Sequence, residues 1–443
     1  MTRILGLVIV VLSMAWVLFT VSDARVDADA GSTMTFGFLL LAAYLAGDVL
    51  SRLGLPKLTG YILAGIVFGP HALQLVGADT VRELKLIDDL ALTFIALAAG
   101  GELRLAALHR RRSSIVLTVS FLTVIVFLGI AAFTWAARPL LPFLDGRSAA
   151  DVMTVAALLG VFAAARSPAS AIAIIHECRS RGPFTEMVLG ATVVMDVLVI
   201  FVFAAVISVG AALVVPGDPV DFQFISTIGA ELAGSILAGV LLGWVVSLYI
   251  RRVGAELLIF TLAAAFLVTF CSRQFAFLLD RIYSISFHLE PMLICVTAGF
   301  WVQNFSGSGR PFMEQIERSS LPIYVIFFSL TGAALDIVAL RDTWLIAVLV
   351  AATRFALIWV GGYLGATAAG DPPAFRRMAG FSFVTQAGVS LGLAGIVMHR
   401  FPDWGAALAT TIVAIIALNQ IVGPIAFKYA LQAVGEARSM RDR

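Results

Sequence analysis

LLGVFAAARSPASAIAIIHE, residues 158–177, is an apolar run with Arg-Ser-Pro at its middle. Pro168 has no backbone donor and its ring clashes with the preceding turn, so a helix is interrupted there. Arg166 adds a permanent charge at the same depth, and Ser167 and Ser170 add hydroxyls. An arginine at the centre of a membrane helix costs about 2.5–3.5 kcal/mol even on the lenient insertion scale. One reading is a simple proline kink. The reading adopted here is a broken helix, because irregular backbone at mid-membrane is tolerated where it is buried in protein or lines a cavity.

The rest of the chain supplies the membrane context. Of 443 residues, 60% are hydrophobic and only 13% charged, with a mean hydropathy of +0.99. Soluble domains are about 45–50% apolar and about 25% charged, so a soluble globular enzyme is excluded. A bilayer core needs roughly 20 apolar residues per helix. Fourteen apolar spans are expected, at 4–21, 34–50, 58–76, 87–103, 115–137, 152–175, 184–212, 224–249, 255–272, 287–304, 320–340, 343–368, 378–398 and 406–432. The first resembles a signal peptide, with Arg3 before it and Ser22-Asp23-Ala24 after it. Its apolar run is long for that role, so a retained helix is expected.

A second interrupted span is expected at GFSFVTQAGVSLGLAGIV, residues 380–397, where Ser382, Thr385, Gln386, Gly388 and Ser390 bring polarity to mid-depth. Ordinary small-residue packing is the alternative. The two interruptions lie seven spans apart. If 34–212 and 255–432 are six-helix repeats joined by a connector at 224–249, both fall at position five, and an odd connector inverts the second repeat. Interrupted helices at matching positions of inverted halves mark a transporter site at the midplane. The expected organisation is an N-terminal helix and loop at 1–33, a transmembrane domain at 34–433 and a tail at 434–443.

With the N-terminus placed inside, nineteen of the thirty Lys and Arg residues fall on that side and nine on the other. The positive-inside rule then puts both termini in the cytoplasm of a multi-pass protein of the cell (inner) membrane. The remaining two are Arg166 and Arg354, both inside spans.

Asp196 lies mid-span in LGATVVMDVLVIFVF, with no basic residue near it in sequence. Intramembrane acids mark ion or proton pathways, and a structural Asp held by backbone or a Ser is the alternative. Thr192, four residues earlier, shares its helix face. Its hydroxyl is either a further ion ligand or bonded to its own helix at i−4. Arg354, in LIAVLVAATRFALIWVGGYLGA, must meet a carboxylate, carbonyls or water; it is either the counter-charge of Asp196 or part of a structural pair. Asp48, Glu102, Glu231, Glu290 and Asp336 sit near span ends and are taken mostly as interfacial. Cys178, Cys271 and Cys295 are far apart and the five histidines are scattered, so no metal centre or redox cofactor is expected. A net charge of +2 gives no argument for nucleic-acid binding.

Four stretches together resemble the monovalent cation:proton antiporter superfamily over nearly all of residues 35–430. LGLPKLTGYILAGIVFGP (53–70) resembles its early signature helix, and ALAAGGELRL (96–105) its "LaGlEl" segment. GPFTEMVLGATVVMDVLVIF (182–201) resembles the helix carrying the ion-binding aspartate, and LPIYVIFFSLTGAALDI (321–337) its "lPiFFxxxGxxld" segment. The resemblance implies an all-α, dimeric elevator transporter without cofactors, in which a core bundle with two crossed broken helices slides against a dimerisation bundle. It implies that Asp196 is the cation and proton site, that Arg354 is the basic residue two helices before the C-terminus, and that Thr192 matches a hydroxyl ligand of some members. Ser167 falls where some members carry the Asp of Thr-Asp-Pro, and Arg166 replaces that Thr. Met195 stands where an Asp or Asn precedes the ion-binding Asp, and Ala191 where some members carry a Glu. Arg166 is expected either to pair with Asp196 and block the site or to reach another acid such as Glu177.

The expected function is exchange of Na⁺ or K⁺ for H⁺, electroneutral because one carboxylate carries the site. Two alternatives follow from two arginines against one acid. One is a transport-silent sensor or scaffold module. The other is an anion or organic-acid carrier, because guanidinium groups at broken-helix positions suit carboxylates.

Overall fold

The computed structural model describes residues 8–14, 28–214, 220–254, 256–283, 287–386 and 389–437. All regular structure among them is helical. Of the first expected span, residues 8–14 are helical and the remainder lies outside the described residues, as do Gly388 and the tail from 438.

The first half of the chain runs through α1 (Ala28–Arg52), α2 (Lys57–Phe68), α3 (Lys85–Glu102) and α4 (Arg112–Ala136). It continues with α5 (Ala149–Ala164), α6 (Pro168–Cys178) and α7 (Pro183–Val214). The second half comprises α8 (Phe222–Arg252), α9 (Leu257–Tyr283), α10 (Pro291–Phe305), α11 (Gly309–Ala333) and α12 (Ile337–Ala368). It ends with α13 (Val389–Arg400) and α14 (Gly405–Ala433). Eight segments among the described residues are long and apolar enough to cross a bilayer, one of them the whole interrupted stretch Ala149–Cys178. The 32 residues of α7 make a rod about 48 Å long.

The helices pack as two bundles. α1, α2, α3, α8, α9, α10 and α11 pack chiefly with one another, and α4, α5, α7, α12, α13 and α14 form the second group. α6 lies in the seam between them, against α2, α3, α7 and α14. Two pairings within the first bundle are drawn close by glycine. A Cβ on Gly100 of α3 would strike the Val296 carbonyl of α10, and one on Gly299 of α10 would strike the Leu97 carbonyl. Gly65 of α2 and Gly332 of α11 meet the Ser329 and Ile62 carbonyls in the same way. In lipid, where burial of apolar surface gives little drive, such backbone approach is a principal source of helix–helix attraction.

Both interruptions have local causes. α5 starts at a capping box in which Ser148 Oγ accepts from the Asp151 N–H at 3.1 Å and Asp151 accepts from the Ser148 N–H at 3.2 Å. It stops at Ala164, and Ala165 to Ser167 are extended ahead of Pro168. Ser167 then caps α6 by accepting from the Ser170 N–H at 3.2 Å. In the second interruption a 3₁₀ turn at Gly380–Phe383 gives way to non-helical Val384, Thr385 and Gln386 before α13 begins.

Candidate functional site

The two interruptions meet. Helix ends leave carbonyls short of intrahelical partners. At the end of α5 the Phe162 carbonyl keeps a 3.2 Å bond from the Ala165 N–H, and side chains from the break itself, from α12 and from the second interruption cover this end. Gln386 Nε2 donates to the Phe162 carbonyl at 2.7 Å. Arg354 Nε donates to Ala163 O at 2.8 Å and its Nη2 to Ala165 O at 3.1 Å. Its Nη1 donates across to Val384 O of the second interruption at 2.8 Å. Arg166 Nη1 donates to Ala163 O at 2.8 Å and to Ala165 O at 2.9 Å. Behind them Asn419 Nδ2 donates to Gln386 Oε1 at 2.9 Å. Arg354 is 0% and Arg166 1% exposed, so both charges are held inside the protein. The partial negative charge at the C-terminus of α5 is the kind of field that favours cations there.

The remaining sequence candidates fall in two places. Ser167, Pro168, Thr385 and Gln386 are buried at the crossing, and the Thr385 backbone packs so tightly on α14 that a Cβ at Gly423 would collide with it. Asp196 is not bonded to these groups. It is partly exposed on α7, and among the described residues neither arginine forms an ion pair with it. The charged group that acts on it is the Glu290 carboxylate at the start of α10. A small apolar cluster joins the two helices there, with Val197 and Ile200 of α7, Ile228 and Leu232 of α8 and Leu293 of α10. Thr192, one turn before Asp196, donates its hydroxyl to Val188 O at 2.8 Å, within its own helix. Glu177 accepts from the Lys57 N–H with both oxygens, at 3.0 and 2.9 Å, and lies 3.5 Å from Lys428 Nζ. It is not a partner of Arg166.

Glu290 is the neighbour that sequence reading missed. It stands at the N-terminus of a helix of only 15 residues, fixed by its own N–H donating to Ser235 Oγ at 2.9 Å. Pro291 opens this short helix, and Glu-Pro before an unusually short span was the available signal. Beside it Glu231 accepts from the His288 N–H at 2.6 Å.

At the other end of α6 the seam opens into a cavity of about 750 Å³ with a polar lining. His176 stands in its wall between two helices of the opposite bundle, its Nε2 3.0 Å from Glu102 Oε1 and its Nδ1 2.9 Å from the Tyr324 hydroxyl. Among the described residues no group of three His, Cys, Asp or Glu side chains is placed to hold a metal ion.

Helices broken inside a membrane bundle, crossing where polar side chains cover their free ends, define a membrane transporter. Residues 36–433 match the transmembrane sodium/hydrogen exchanger family, and the chain belongs to it, a family of ion transporters rather than enzymes. The chain is 24% identical over 314 residues to the Na(+)/H(+) antiporter NhaS5 of Synechocystis, a match covering 70% of this chain and 40% of that protein. It is 24% identical over 373 residues to the probable Na(+)/H(+) antiporter GerT of Bacillus cereus, covering 81% and 85%. Two structures of the sodium proton antiporter MjNhaP1 from Methanocaldococcus jannaschii share the fold, with TM-scores of 0.72 and 0.64 at 18% and 17% identity. Each match covers 91% of this chain, and 98% and 96% of MjNhaP1 respectively.

Proposed function

We propose that the protein is a secondary antiporter that exchanges a monovalent cation, Na⁺ or K⁺, for H⁺, with Asp196 binding the two in turn. The observation that carries this is a carboxylate at mid-length of α7, on the helix that packs against α8 of the other bundle, with no arginine paired to it among the described residues. Membership of the exchanger family supports it, as do NhaS5 and GerT, both named as Na(+)/H(+) antiporters. A carboxylate in a membrane must be neutralised, by a proton or by a cation, and either occupant does so with one charge. Met195 beside it does not titrate, and in this scheme Glu290 keeps one charge state through the cycle, so the exchange is electroneutral, one for one.

The mechanism we propose is an elevator. The bundle of α4–α7 and α12–α14 carries Asp196 across while the bundle with α1–α3 and α8–α11 stays fixed in a homodimer. The seam gives this some support, since beside its apolar packing the bundles are linked there by single polar contacts such as His176 with Glu102 and Tyr324. The paired contacts α2 with α11 and α3 with α10 support the inverted repeats 34–212 and 255–432. In that scheme they are position two against three, and three against two. Fourteen spans with both termini cytoplasmic complete the topology.

The test is proton flux in vesicles loaded with a pH dye, on addition of Na⁺, Li⁺ or K⁺. Cation-triggered flux in the wild type that Asp196→Asn abolishes, without a membrane potential, is the expected result. Flux retained by Asp196→Asn refutes the site, and a potential generated by Na⁺ refutes electroneutrality.

A further inference from the structure

The two arginines at the crossing have no part in that exchange chemistry, and one of them is only half used. Arg166 is 1% exposed and its plane is fixed by Nη1, which donates to two carbonyls at 2.8 and 2.9 Å. Its Nε and Nη2 are buried and have no hydrogen-bond partner among the described residues. These two donors are not scattered around the group. Nε–H and the Nη2–H beside it form one edge of the guanidinium, the edge that takes both oxygens of a carboxylate in parallel.

The charge balance points the same way. Arg354, 0% exposed, donates to the same Ala163 and Ala165 carbonyls, so two full positive charges share a set of backbone dipoles. No carboxylate of the described chain completes them: Asp196 bonds neither arginine, and Glu177 is held by the Lys57 N–H and Lys428. Buried charges are otherwise paired with opposite charge and fully hydrogen-bonded. The positive N-terminus of α6, eleven residues long, begins two positions beyond Arg166.

We propose that the free edge of Arg166 is a binding site for a small planar anion presenting two oxygens, the carboxylate class, of which formate and bicarbonate are the smallest members. The anion accepts from Nε and Nη2 together and offsets the charge that Arg166 and Arg354 place in the crossing. Among the described residues no bond joins Arg166 to Asp196, and the binding test reads the anion directly, so it does not depend on antiport.

The experiment is equilibrium binding of ¹⁴C-formate, and separately of ¹⁴C-bicarbonate, to the purified full-length protein at constant ionic strength with gluconate as balancing anion. Saturable binding of either probe at about one per chain is expected, and which of them binds identifies the source of the ligand. Arg166→Gln is expected to abolish it. Arg166→Lys, which keeps the charge without the fork, is expected to weaken it by about tenfold or more. No saturable binding of either probe to monodisperse wild type overturns the proposal and leaves water as the occupant. So does wild-type affinity in Arg166→Gln. If that variant does not fold, wild-type affinity in Arg166→Lys overturns the fork.

Discussion

Asp196 and the two arginines are the intramembrane charges that first call for an explanation, and the structure separates them. Arg354 and one amino group of Arg166 bond helix-end carbonyls, whereas among the described residues Asp196 is paired with neither arginine. Its electrostatic neighbour is a second acid supplied by the opposite bundle. Two negative groups facing one position attract a cation more strongly than one. We therefore expect Glu290→Gln to raise the apparent KM for sodium by about 3–10-fold, the effect of roughly 1 kcal/mol of lost attraction, while the maximal exchange rate holds. Kinetics of cation-triggered proton flux check this; an unchanged KM removes Glu290 from the site. None of this was legible at Asp196 itself. The sequence showed an unpaired acid, but which face of α7 it occupies depends on how the helices pack.

At the scale of the element, the broken helices were the most legible feature. Pro168 with Arg166 announces the first, because a missing donor and a charge coincide at mid-span. The second has no proline between Gly380 and Ser390, and only its run of small and polar residues signalled it. What the sequence did not show is how the free ends are satisfied. That rests on Arg354, 189 residues from Ala165, and on Gln386, 224 residues from Phe162. The two arginines are not equivalent in this. Removing Arg166 leaves Ala163 O and Ala165 O still bonded to Arg354. Removing Arg354 leaves Val384 O without its donor, a loss of about 1–3 kcal/mol for a buried carbonyl. Arg354→Ala is thus expected to lower thermal stability in detergent more than Arg166→Ala does, and the reverse order contradicts the assigned contacts.

For the whole molecule, the division into two bundles with α6 lying between them is what an elevator requires. The seam is crossed at His176, whose ring centroid lies 6.0 Å from that of Tyr324 on the opposite bundle. If the bundles slide, this pair must separate in every cycle. In a background with Cys178, Cys271 and Cys295 replaced by Ser, cross-linking His176→Cys to Tyr324→Cys is expected to stop exchange, and reduction to restore it. Full exchange by the cross-linked protein excludes sliding at this seam. The transmembrane character was legible from composition alone, since hydrophobicity over 443 residues admits no soluble alternative. The grouping of helices into bundles was not. Periodicity gives the faces of each helix, but partners are chosen by close approaches such as Gly100 against the Val296 carbonyl, which only tertiary structure reveals. The central claim is that one carboxylate serves cation and proton in turn, which makes them strict competitors. The most direct measurement is the apparent KM for sodium across a series of pH values in reconstituted wild-type protein. Competition at one site expects KM to rise by about tenfold per unit of falling pH on the acid limb, at constant maximal rate. A KM that stays flat with pH while the maximal rate falls contradicts it.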